Sequence, residues 1–157
     1  LDHVPETKEY GVTSYVYRAR QPFVPEKILA ALTGDMPRVI RAKGHFWIAT
    51  RPEWVAEFSL VGSLSSVQPI GTCWASVPKE RWPDHVSISD YIQSHWQEPW
   101  GDRRQELVFI GADINWAALK ANLDDCLVST VLAAGPNSLP LDMPDPFPGW
   151  RRVEDAA

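Results

Sequence analysis

A chain of 157 residues with 45% hydrophobic and 22% charged side chains has the length and composition of one globular domain, or one domain plus a tail, and not of a disordered polymer. Its formal net charge of -5 argues against a general nucleic-acid binder, and no apolar run approaches the roughly 20 residues that cross a bilayer. Two cysteines are too few for a disulfide framework, so a reducing, cytoplasmic location is the expectation.

The first residues, from Leu1 past His3, are polar and acidic, and the chain reads as an excised piece whose preceding part carries chemistry of its own. Residues 13–18 (TSYVYR) alternate as a strand does, and Gln-Pro-Phe-Val-Pro ends them. Pro25 suits a first helical turn; 26–32 forms a short helix with Ile28, Leu29 and Leu32 on one face, stopped by Gly34 as a C-terminal glycine. Residues 39–50 (VIRAKGHFWIAT) are the longest strand candidate, with Val39, Arg41, Lys43 and His45 on one face and Ile40, Ala42, Phe46 and Ile48 on the other. Gly44 inside it marks a bulge or a close backbone approach.

Residues 54–61 supply a hairpin partner, and 67–74 a further strand that Pro69 confines to an edge or a bulge. Between the prolines of the next stretch, 89–96 forms a helix with Asp90 near its start. Residues 105–111 (QELVFIG) read as a buried strand, and 116–127 as an amphipathic helix with Leu119, Leu123, Cys126 and Leu127 on one stripe. From Gly135 the chain is proline-rich, a tail whose anchors are Phe147 and Trp150. The order predicts an α+β fold: one mostly antiparallel sheet of four to five strands with helices on one face, over 1–134, followed by the tail at 135–157.

No phosphate loop, dinucleotide turn or nucleophile elbow occurs, so no catalytic residue and no cofactor are assigned to this chain. His85 and His95, with Asp84 and Asp90, are the candidates for a nitrogen–oxygen metal site, against the reading of two surface histidines. Cys73 and Cys126 read as core thiols, since activation needs a base or a cation nearby. Arg38, Arg41 and Lys43 lie on or beside one strand, and Arg103 and Arg104 precede another. Were those strands neighbours, they would form a basic patch for an acidic partner or a phosphate; the alternative is surface ion pairing with Glu53, Glu57 and Glu106. Trp47, Trp54, Trp74, Trp96 and Trp100 read mostly as packing, and as a docking surface only if several are exposed together.

Taken in order, ETKEYGVTSYVYRARQPFVPEKI, RAKGHFWIAT, PIGTCW, DRRQELVFIGADINWAALKANLDDCLVS and DPFPGW resemble the C-terminal domain of the CobW family of GTP-dependent metallochaperones. The resemblance covers about residues 6–130 and the tail motif. Its strongest segment is 103–111 (RRQELVFIG) with the helix ending in 123–127 (LDDCL), then Arg41-Ala42-Lys43-Gly44 with Phe46-Trp47. It implies an N-terminal P-loop GTPase domain, absent from this chain, that binds GTP, Mg and zinc or cobalt. It implies for this chain a non-catalytic interaction and regulatory role in metal homeostasis or cobalamin synthesis. The partners would be its own GTPase domain or a client metalloprotein, with no nucleic acid and no membrane. The residues expected to meet them are Arg41, Lys43, His45, Arg103 and Arg104. The alternative is a direct metal-binding module using His85 and His95.

Overall fold

Alternating Tyr, Val, Phe and Leu positions along five segments build one sheet. In a computed structural model, which describes residues 11–129 and 135–151, these are β1 (Val12–Ala19), β2 (Val39–Phe46), β3 (Trp54–Val61), β4 (Leu64–Thr72) and β5 (Gln105–Ala112). Their order is β1-β5-β2-β3-β4, and every neighbouring pair is antiparallel. His3 lies outside the described residues.

The inner face carries Tyr15, Tyr17, Ala42, Phe46, Phe58, Leu107 and Phe109, all buried. Ile28 and Leu32 of α1 (Pro25–Thr33) and Leu123 of α3 (Trp116–Asp124) close over them. Burying one face of a sheet under helices is what gives these period-2 segments their stability. The α+β class and the antiparallel sheet are those expected.

α2 (Val86–His95) stands beside the chain that enters β5, where the Tyr91 hydroxyl accepts a hydrogen bond from Arg104 at 3.1 Å. A smaller cluster of Trp47, Ala49, Trp100, Val128 and Leu139 sits apart from the main core. Phe147 of the tail is buried against Phe46, with ring centroids 6.1 Å apart, and Trp150 packs on Trp54 at 6.2 Å.

Several boundaries differ from expectation, each for a visible reason. α2 begins at Val86 rather than Ser89, because the His85 ring accepts the Ser87 N–H and caps the helix. β2 stops at Phe46, since the next backbone groups are diverted: the Trp47 carbonyl accepts from Phe23 and the Ala49 N–H donates to Phe23. α3 ends at Asp124 and not Leu127, because 126–128 leaves to pair with 22–24. Gly34 does end α1, yet with an extended backbone rather than a left-handed one; a Cβ there would meet the Ala30 carbonyl at 2.8 Å. The bulge of β2 lies between Val39 and Arg41, so Val39 packs on the core and Ile40 is exposed, the reverse of a regular alternation. Gly44 is instead a close approach, its missing Cβ standing 2.7 Å from Leu107 Cα. Pro69 is both on the edge strand and at a bulge, where pairing skips Ile70. β5 is buried on one face only, Val108 and Ile110 pointing outward.

Candidate functional site

The segment 102–106 (DRRQE) splits its polar groups between inside and outside. Gln105, fully buried, donates to the carbonyls of Gln21 and Trp47, both at 2.9 Å, and accepts the Trp47 N–H at 2.8 Å. Arg103 is buried as well, its guanidinium donating to Pro52 and Trp100 carbonyls and to Ser76 Oγ, and lying over the Trp47 ring. Asp102 accepts the N–H groups of Trp74 and Ala75, both at 2.8 Å. Arg20 adds donors to the carbonyls of His95, Gly101 and Arg103. These four residues tie loops together and satisfy buried backbone, as buried polar groups must.

The outward residues form rows across the sheet, set by the register. Ser14, Ile110, Arg41, Val61 and Leu64 make one row, and Val16, Val108, Lys43, Ser59 and Ser66 the next. Arg18, Glu106, His45, Glu57 and Gln68 make the third. Arg18 pairs with Glu106 at 3.0 Å. Burial alone would raise the Glu106 carboxyl, but the Arg18 hydrogen bond and the Arg104 charge hold it below the ordinary carboxylate range. His45 is pushed the other way, toward the neutral form, by burial and then by Arg104. Arg41 and Lys43 are exposed, and among the described residues neither side chain has a hydrogen bond or an ion pair.

The structure therefore brings Arg41, Lys43 and His45 together on the outer face and places Arg104 at its end, in a cleft of about 210 Å³ shared with His45, Val55, Ile70 and Tyr91. Arg104 donates to the Asp102 carbonyl and to Tyr91, while its buried Nε has no acceptor among the described residues. Arg103 borders the same cleft, but its guanidinium is committed to Pro52, Trp100 and Ser76. The two roles of adjacent arginines were not separable from sequence, because the chain before β5 is irregular and has no period. The cluster of polar residues leading into an apolar strand was the available signal for the internal ties.

His85 and His95 sit at opposite ends of α2, about 15 Å apart along its axis. Among the described residues no group of three or more His, Cys, Asp or Glu is placed to hold a metal ion. Cys73 and Cys126 are buried and burial raises both thiols, so neither is a ready thiolate ligand. The described residues bring together no donor set that fits zinc or cobalt. All eight tryptophans are buried or half-buried, so none of them builds an exposed aromatic patch. Among the described residues no helix is long and apolar enough to cross a membrane.

Residues 12–127 match the family described as the cobalamin synthesis protein cobW C-terminal domain. A zinc-regulated GTPase metalloprotein activator 1 from Dictyostelium discoideum is 37% identical over 131 residues, covering 81% of this chain and 27% of that protein. The zinc chaperone Rv0106 of Mycobacterium tuberculosis is 25% identical over 136 residues, covering 85% of this chain and 34% of its own length. The Zn(II)-bound YjiA GTPase from E. coli shares the fold, with a TM-score of 0.52 at 17% identity over 75% of this chain and 30% of that one. The chain thus spans about a third or less of each of these proteins.

Proposed function

The chain belongs to the cobW C-terminal domain family, and from that premise we propose that it is the non-catalytic docking and regulatory module of a GTP-dependent zinc chaperone or metalloprotein activator. A P-loop GTPase domain elsewhere in such a protein would bring GTP, Mg and zinc or cobalt. This module would hold that domain or a client metalloprotein, in the cytoplasm. The observation that supports the reading is a sheet with one face spent on the core and the other left open around Arg41 and Lys43, which have no ion-pair partner among the described residues. His45 and Arg104 extend that face; Arg103, spent on internal ties, is left out.

The test uses a full-length family protein carrying this module. Removing residues 11–151 is expected to leave basal GTP hydrolysis measurable and to abolish both client binding and its dependence on nucleotide. Client binding that survives the deletion unchanged would sink the docking reading. In parallel, calorimetric titration of the 157-residue chain with zinc and cobalt against a weak chelator is expected to show nothing tighter than about 10 μM, near -7 kcal/mol. Tight one-to-one binding would instead favour a metal-binding module.

A further inference from the structure

The docking reading leaves open what chemistry meets the outer sheet face, and the rows supply it. We propose that the strip around Arg41 and Lys43 binds an acidic amphipathic protein segment, an apolar stripe edged with carboxylates; the inference rests on the docking reading above.

The first support is the apolar content of the two rows. Leu64 is 78% exposed, Val61 55%, Ile110 37% and Val108 36%, and together they surround the two cations. Water-exposed apolar area of this kind on one open face marks an interaction surface more often than chance does. The second support is charge. Arg18, Arg38, Arg51 and Lys120 each have a carboxylate within reach, whereas among the described residues Arg41 and Lys43 have none, and neither row contains an acid. The third row sets Arg18 against Glu106 and adds Glu57, so the two rows of the strip carry positive charge while the row beside them does not.

Other occupants fit less well. A second copy meeting this face through a two-fold axis would set Arg41 and Lys43 against their own equivalents, burying like charges. A nucleic acid offers phosphates but no partner for Val61, Leu64, Val108 and Ile110, and the chain's net charge of -5 repels it. A protein segment with carboxylates on both sides of an apolar stripe satisfies both sets of groups. Arg41 and Lys43 are two residues apart on β2, about 7 Å, so carboxylates flanking the stripe reach one each.

The experiment is an NMR titration of the ¹⁵N-labelled 157-residue chain with a synthetic helical peptide bearing a Leu stripe edged with Glu. Two controls replace every Glu by Lys, or every Leu by Ser. The expected result is binding at least tenfold tighter for the Glu peptide than for either control, weakened by salt, with shifted amides centred on Lys43, Ser59, Val108 and Ile110. The double variant Arg41→Glu, Lys43→Glu is expected to reverse the preference in favour of the Lys peptide while leaving the inner-face amides unmoved. Equal affinities overturn the proposal, as do shifts centred on the cavity of about 510 Å³ between α1 and α3. So do a concentration-dependent dimer formed through this face and tighter binding of an RNA oligomer than of the peptide. If the client or GTPase domain docks on the helical side and the Glu peptide does not bind, this inference falls and the docking reading stands. If the Glu peptide binds the strip but neither protein docks, the docking reading falls.

Discussion

Gln105 shows how much a single buried amide holds. Its three hydrogen bonds join the start of β5 to Trp47 and to Gln21, and only the Trp47 carbonyl keeps a second donor among the described residues, the Phe23 N–H. Gln105→Leu keeps the volume but strands the Trp47 N–H and the Gln21 carbonyl, and is expected to cost about 2–4 kcal/mol of stability by urea denaturation. Arg41→Ala, on the open face, is expected to stay within about 0.5 kcal/mol of the parent. A Gln105→Leu loss under about 1 kcal/mol would show that the loops are held by packing alone. From the sequence, Arg103 and Arg104 belong to a basic patch or to surface ion pairs and Asp102 and Gln105 have no assigned role, since an irregular stretch carries no periodicity from which to infer direction. Neighbouring Arg103 and Arg104 differ for that reason, the first buried in internal ties and the second reaching Tyr91.

At the level of elements, the regular strands were legible and the element ends were not. β3 ran over the expected 54–61, because strict alternation survives only where helices cover one face and solvent the other. β5 looked buried on both sides because its outward residues, Val108 and Ile110, are apolar; the apolar excess belongs to the open face and not to a second layer. Ends of β2, α2 and α3 depend on distant partners: Phe23, the His85 cap and the backbone of 22–24. Gly44 was the most informative single letter, for it lets β2 lie against β5. Gly44→Ala would push a Cβ onto the Glu106 carbonyl and Leu107 Cα, both backbone, so neither can rotate away. The expected cost is about 3 kcal/mol or more, with loss of the β2–β5 cross-strand NMR contacts while β3–β4 contacts persist. An unaltered β2–β5 ladder in that variant would refute the close-approach reading.

Across the whole molecule, the tail is fastened to the far end of the sheet. Arg51 pairs with Asp145 at 2.9 Å, donates to the Phe147 and Pro148 carbonyls, and covers the Trp150 ring at 4.4 Å. Burial would raise the Asp145 carboxyl, but hydrogen bonds from Thr50, Arg51 and the Phe147 N–H outweigh it and hold the group below its usual value. A carboxyl depressed in the folded state contributes fully above the unfolded value of about 4 and loses that contribution as pH falls through the folded one. Acidification below about pH 4 is therefore expected to loosen the tail, read as a change in tryptophan emission from Trp54 and Trp150. Asp145→Asn should show the loosened emission already at neutral pH and little further change on acidification. The aromatic anchors of the tail were visible in the sequence; the acid that holds them was not, because Asp145 looks like any loop aspartate until Arg51 is brought beside it. A different consequence follows from the row of Arg18, Glu106, His45 and Glu57. Glu106 there is matched by Arg18, but Glu57 borders the strip on that side, so an acidic visitor is steered along the rows, transverse to the strands. Four interstrand gaps span about 19 Å, the length of roughly 13 helical residues. The open face thereby acts as a ruler as well as a magnet, favouring a visitor of a given length laid in a given direction.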